Sequence, residues 1–287
     1  MTKTTVQAAP GAQRPPNGGS RRIVTPRTRI GRRVPGTGLI STASTLGLLL
    51  LAGLVWQLGS IAQWWSVATL PPFTQVRSEL LRLLGTGEFW DDTGRTGMEI
   101  VLSLVAGTLL GLLAGILFWK MPIVGRILEP YLVSFYAVPL VLFYPVMIVI
   151  TGITPWSVII LATVMAAIPM ALNTWVGLAT LRPVYLKLAR SLGCTRRQTM
   201  LQVALPGAAP YIVAGLRLAA GYALIGAIAM EFTTASAGLG FRIRYLYESF
   251  ETPTMFAYVL AVLGLSFLLT LLLALAEKRM LKGRNER

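Results

Sequence analysis

Residues 130–181 read PYLVSFYAVPLVLFYPVMIVITGITPWSVIILATVMAAIPMALNTWVGLATL, 52 residues without one Asp, Glu, Lys or Arg. A helix crossing the hydrocarbon of a bilayer needs about 20 mostly apolar residues, so this block is too long for one crossing. Gly and Pro punctuate it at Thr151-Gly152-Ile153-Thr154-Pro155, as a turn would. It therefore holds two spans. Uncharged blocks at 34–76, 100–119 and 252–276 hold one each, and 210–230 is apolar apart from Arg217. The expectation is an all-α polytopic membrane protein with six transmembrane helices, at about 39–60, 99–119, 131–151, 155–179, 210–231 and 254–276.

Composition agrees. Of the 287 residues 54% are hydrophobic and 13% charged, with a mean hydropathy of +0.66, whereas soluble domains carry about 25% charged residues. Cys194 is the one cysteine and histidine is absent, which excludes an internal disulfide, Cys/His metal sites and Ser-His or Cys-His catalysis. No metal-ligand cluster is expected.

An even number of spans puts both termini on one side. Of the 26 Lys and Arg residues, 20 fall in the N-terminal segment, the C-terminal tail and the loops after the second and fourth spans. Arg77, Arg82, Arg95, Arg242 and Arg244 fall on the other side. The positive-inside rule makes the 20-charge side cytoplasmic. The net charge of +15 is then an orientation signal and does not ask for a nucleic-acid partner. The domain reading is a disordered basic tail at 1–38, a first transmembrane helix at 39–69, an external amphipathic connection at 70–98, a five-helix core at 99–276 and a basic tail at 277–287. In the connection, Val76, Leu80, Leu83 and Leu84 share one helix face, and this helix is expected to lie in the outer interface.

Ser103, Gly107, Gly111 and Gly115 recur every fourth residue, a smooth stripe against which another backbone can pack, within one protomer or between two. Pro139, Pro145 and Pro169 interrupt spans, which a bilayer tolerates where neighbours or a water-filled cavity satisfy the freed carbonyls. Arg217 is costly inside a membrane and is expected to meet protein or water; Glu231 sits at the outer end of the same span. Arg217, Glu231, Asn173, Tyr136 and Tyr144 are candidates for a translocation pathway, with helix pairing as the competing reading.

Residues 183–206 form the longest connection on the cytoplasmic side. Pro183 can open a helix, Gly193 can cap its end, and Thr195 with Gln198 has capping-box spacing for a second helix that Leu205-Pro206 is expected to end. Two short amphipathic helices joined at a glycine make a rigid knob, suited to transmitting force.

Here the sequence resembles the permease subunits of ATP-binding cassette importers, whose cytoplasmic signature is Glu-Ala-Ala, three residues, Gly, nine residues, Ile, one residue, Leu-Pro. Ala189, Gly193, Val203 (for Ile), Leu205 and Pro206 match at that spacing, while Lys187 and Leu188 stand where Glu and the first Ala are usual. Ala189-Arg190-Ser191-Leu192-Gly193, Pro210, Gly215-Leu216-Arg217, Glu231, Gly238-Leu239-Gly240, Leu70-Pro71-Pro72, Pro139, Pro145 and Gly152 resemble the branch that imports nitrate, sulfonates, taurine, bicarbonate and some vitamin precursors. The resemblance implies a type I importer permease fold and a homodimer of six-span chains. It also implies two ATP-binding subunits docked through Lys187, Leu188, Ala189, Arg190, Gly193, Val203, Leu205 and Pro206, and an extracellular or periplasmic solute-binding protein. ATP and Mg would be bound by the partner; this chain has no phosphate-binding Gly-x-x-x-x-Gly-Lys-Ser/Thr loop, no catalytic residue and no cofactor of its own. The alternative is a secondary transporter, which would need no ATPase. Glu99 and Glu231, the membrane-level acids, lie near span ends and not at the midplane where coupling carboxylates are common.

Overall fold

The computed structural model describes residues 37–66 and 69–285, and every regular element among them is helical. Residues 1–36 of the expected basic tail, and residues 67, 68, 286 and 287, lie outside the described residues. The chain divides at Leu50. The first unit is described from Thr37, the start of helix α1 (Thr37–Ile61); the second carries the rest of α1 and all that follows.

Three long helices form the centre of the second unit: α3 (Gly87–Lys120), α6 (Pro155–Ala179) and α9 (Leu205–Thr234). Small residues set how closely they approach. A Cβ built on Gly107 would lie 2.6 Å from Ala166 Cβ, one on Gly111 2.5 Å from the Ala167 carbonyl oxygen, and one on Gly115 2.6 Å from the Ala171 carbonyl oxygen. The Ser103 hydroxyl donates to the Ile159 carbonyl at 3.2 Å on the same line of contact. The stripe thus packs on α6 of its own chain. Ala219 and Ala223 of α9 meet Ala166 and Met170 of α6 in the same layer.

α6 occupies its expected limits, but other boundaries move. α3 begins 12 residues before the expected start of its span, because Glu88, Asp92, Arg95 and Glu99 continue the helix as a polar extension that leaves no trace in the apolar blocks. α11 (Thr252–Asn285) continues into the basic segment expected to be a tail; its Leu, Ala, Glu, Lys, Arg and Met residues all favour helix. The span expected at 131–151 is not one helix. α4 (Pro122–Ala137) and the pair made by a 3₁₀ turn (Leu140–Phe143) and α5 (Tyr144–Thr151) meet at a bend of 89°. Pro139 has no N–H to give and pushes the preceding residue out of the helical region; Val138 is accordingly extended, φ −80° and ψ 133°. Among the described residues four helices are long and apolar enough to cross a membrane, and the bent pair makes a fifth.

The amphipathic helix α2 (Phe73–Leu83) turns Val76 and Leu83 into a core with Phe89, Leu239, Leu246, Ala257 and Tyr258. Of the four residues on its apolar face, Val76 and Leu83 are buried and Leu80 packs on the same core, while Leu84 is exposed. Trp56 Nε1 donates to the Pro71 carbonyl at 2.9 Å and its ring meets Phe73 edge-on, fastening the entry to α2. α10 (Leu239–Glu248) lies in the connection between α9 and α11.

Candidate functional site

The loop at 183–206 is built by local rules. α7 (Pro183–Ser191) starts on Pro183 and ends in a Schellman motif: the Cys194 N–H donates to the Ala189 carbonyl and the Gly193 N–H to the Arg190 carbonyl, each at 3.0 Å. Gly193 takes φ +75° there, a conformation that costs side-chain-bearing residues about 1–2 kcal/mol. The capping box follows at once: the Gln198 N–H donates to Thr195 Oγ1 at 3.3 Å and the Thr195 N–H to Gln198 Oε1 at 2.8 Å.

The second helix is not ended at Leu205-Pro206. α8 (Arg196–Gln198) runs through a π-helical turn (Thr199–Ala204) directly into α9. Pro206 has no N–H for a carbonyl one turn back, and the π turn before it relaxes the backbone register where the helix would otherwise clash or break. The result is one helical rod of 38 residues from Arg196 to Thr233, about 57 Å at about 1.5 Å per residue. Ala204 and Ala208 are fully buried against Leu178, so the base of the knob is seated on the end of α6. Ala189 is buried, Val203 half-buried, and Lys187, Leu188, Arg190 and Gly193 are exposed. Cys194 is a half-buried free thiol within the Schellman turn.

At the far end of the rod lies a polar cluster of which the sequence reveals only Glu231 and Glu99 as candidates. Glu231 is fully buried. One carboxylate oxygen accepts from Thr96 Oγ1 at 2.7 Å and the other from the Gly240 N–H at 2.8 Å. Thr96 Oγ1 accepts in turn from the Leu239 N–H at 2.9 Å, and Asp92 Oδ1 from the Gly238 N–H at 2.9 Å. Three side chains from α3 and α9 thus satisfy the free N–H groups that open α10. Gly238 holds φ +107°, and a Cβ on it would run into the Glu231 carboxylate. Asp92 also accepts from Arg242 Nε at 2.9 Å, and Arg242 reaches Glu88 at 2.5 Å. Burial works against the Arg242 charge, but the Asp92 hydrogen bond and the Asp92 and Glu88 charges outweigh it and raise its pKa further. The signals that point to this cluster in the sequence are the spacing of Asp92, Thr96 and Glu99 on one helix face and the Gly-Leu-Gly after a span.

The other pathway candidates are dispersed. Arg217 pairs with Glu277 of α11. Asn173 donates to the Pro169 carbonyl at 2.8 Å, within its own helix. Tyr144 packs against the core around Leu140, Met165 and Met230, and the Tyr136 side chain lies outside the described residues. Beside the α4 break is a cavity of about 220 Å³ lined by Phe135, Pro139, Leu140, Met165, Tyr222 and Ile225. Among the described residues no cluster of His, Cys, Asp and Glu could hold a metal ion.

The comparisons say what this helical bundle is similar to. Residues 107–282 match the family described as "Binding-protein-dependent transport system inner membrane component", and the chain belongs to this family. It is 32% identical over 236 residues to the taurine transport system permease protein TauC of Escherichia coli, covering 78% of this chain and 86% of that one. It is 32% identical to the formylaminopyrimidine transport permease protein ThiX of Halalkalibacterium halodurans over 58% of this chain and 66% of that one. A solved structure of the MetNI methionine ABC transporter in an inward-facing conformation superposes with a TM-score of 0.55, at 23% identity, over 67% of this chain and 94% of that one. The chain is thus a permease subunit of an ATP-binding cassette importer with the type I fold, a multi-pass membrane protein and not an enzyme of its own.

Proposed function

We propose that two copies of this permease form the translocation pathway, that two cytoplasmic ATP-binding subunits dock on residues 183–206, and that an extracellular or periplasmic solute-binding protein delivers cargo to the opposite face. Both termini are then cytoplasmic, and ATP and Mg are held by the docked subunits. The observation that carries this reading is the unbroken helix from the capping box at Thr195 to Glu231. Closure of the ATPase pair displaces the knobs, and a helix that continues through the π turn and past Pro206 passes that displacement to the outer polar cluster. The two packed states of the permease pair are thereby repopulated.

The solute is a small organic or inorganic anion such as a sulfonate, taurine, nitrate or bicarbonate, or a vitamin precursor. The support is that TauC is named for taurine and ThiX for formylaminopyrimidine. Arg217, Asn173, Tyr136 and Tyr144, with the cavity at the α4 break, are the proposed pathway elements. Glu231 acts through its bonds to Thr96 and Gly240 as a positioning residue.

The test is uptake by proteoliposomes holding the permease with its native ATPase and binding protein, screened with labelled sulfonates, nitrate, bicarbonate and pyrimidine precursors. ATP-dependent uptake of one of these, absent without the ATPase, is expected. Uptake driven by an ion gradient in permease-only vesicles would instead make the chain a secondary transporter.

A further inference from the structure

We infer that the polar cluster at the end of α9 is a proton-binding site, in which Glu99 holds one proton and donates it to Glu231. The inference concerns the permease chain alone and does not depend on the transport reading above. Glu99 and Glu231 are both fully buried. Glu99 follows Thr96 by three residues, on the same face of α3, and its carboxyl group meets that of Glu231 within hydrogen-bonding reach.

The donors around the pair are too few for two carboxylates. Glu231 takes one donor on each oxygen, the Thr96 hydroxyl and the Gly240 N–H. Glu99 Oε1 accepts from Arg95 Nε at 3.3 Å, whereas Glu99 Oε2 is buried and receives no donor among the described residues. The neighbouring cations are engaged elsewhere. Arg242 pairs with Asp92 and Glu88, beside Tyr258 of α11. Arg244 donates to the Thr233 and Ala235 carbonyls and faces Glu248. Arg95 is thus left facing two acids, and among the described residues no second cation pairs with either of them.

Two ionised carboxylates in contact would set lone pairs against lone pairs, since neither carries a donor. Like charges held together away from water do not both stay ionised, and such a pair keeps one proton. Glu99 Oε2 is the atom that lacks a donor, and both Glu231 oxygens already accept, so the proton belongs to Glu99. The contact then becomes a charge-assisted O–H···O hydrogen bond. A bound cation fits less well. A Cβ on Gly238 would run into the Glu231 carboxylate, and one on Gly240 would lie 2.7 Å from Glu231 Cβ, so the backbone leading into α10 leaves no room on that side for a hydrated ion. One proton removes the repulsion between α3 and α9 and leaves Glu231 free to hold the start of α10.

The experiment uses the full chain in nanodiscs and reads the infrared carbonyl band that a protonated carboxyl shows and a carboxylate lacks. At neutral pH the wild type is expected to show one such band that is lost in Glu99→Gln. Glu99→Gln is also expected to elute monodisperse and to melt with the wild type, because its amide nitrogen donates to Glu231 and its oxygen accepts from Arg95. Glu231→Gln is expected to melt lower, because its amide nitrogen would face one of the donors that the carboxylate now accepts. Identical carbonyl spectra for the wild type and Glu99→Gln would overturn the proton site. So would a Glu99→Gln chain that fails to fold, since glutamine has the shape and neutrality of the protonated acid. Higher melting temperatures for both Glu99→Gln and Glu231→Gln would show two ionised acids in repulsion, against the inference. Stabilisation of the wild type by sodium chloride over choline chloride, absent in Glu99→Gln, would assign the site to a cation and overturn the proton.

Discussion

Thr96 and Glu231, separated by 135 residues of sequence, are joined by a 2.7 Å hydrogen bond in the buried cluster at the end of α9. The same threonine oxygen accepts from the Leu239 N–H, so one hydroxyl ties α3, α9 and α10 together. Thr96→Val keeps the shape and removes both bonds. Leaving buried polar groups unpaired costs about 1–3 kcal/mol, and a lower melting temperature in detergent is expected. Thr96→Ser, which retains the hydroxyl, is expected to restore most of it.

The glycine stripe makes a prediction that depends on distance. A Cβ at Gly111 would sit 2.5 Å from the Ala167 carbonyl oxygen, whereas one at Gly94 of the same helix meets nothing within 4 Å. Gly111→Ala is expected to destabilise by about 1–3 kcal/mol through overpacking. Gly94→Ala is expected to be neutral or to stabilise by up to about 1 kcal/mol. Thermal unfolding of the two variants side by side checks this, and equal melting temperatures would mean that α3 and α6 are not in close contact along the stripe.

Arg217 and Glu277 give a test of role. If the ion pair between them is structural, Glu277→Gln reproduces the effect of Arg217→Gln and the double variant is no worse than either single one. If Arg217 instead holds an anionic solute, Arg217→Gln weakens uptake of anions selectively and Glu277→Gln does not. Initial uptake rates for an anionic and a neutral solute separate the two.

Much of the fold is legible in the amino-acid sequence, and what is not has physical causes. The uncharged blocks locate α6 to the residue because Thr154-Pro155 and the polar loop after Ala179 mark its ends chemically. Gly193, Thr195 and Gln198 are legible because capping is local: the hydrogen bonds close within six residues. The Pro139 break is visible as a proline but not as an 89° bend, since whether a membrane proline kinks or ends a helix depends on the neighbours that receive its freed carbonyls. The π turn before Pro206 is hidden for a related reason: Pro usually stops a helix, and a register shift that saves it leaves no mark in composition. The Asp92, Thr96, Glu231 and Gly240 cluster is assembled from segments far apart in the chain. Spacing puts Asp92, Thr96 and Glu99 on one helix face but does not say what that face meets, whereas Gly238, which must hold φ +107° beside a carboxylate, leaves a trace. Arg217 announces the need for a partner, and Glu277 is identified as that partner only by the placement of α11 beside α9.

The central claim, that the knob drives this permease, is tested most directly at Gly193. No atom lies within 4 Å of a Cβ built there, so the Cβ itself has room, but the φ of +75° penalises any residue with a side chain by about 1–2 kcal/mol and misdirects the junction between α7 and α8. The measurement is ATP hydrolysis and solute uptake in the same proteoliposomes for wild type and Gly193→Leu. Membrane insertion unchanged, with uptake per ATP hydrolysed falling on the order of tenfold, the size of an effect of about 1.4 kcal/mol, is the predicted result. Uptake by Gly193→Leu at the wild-type ratio to ATP hydrolysis would contradict the account.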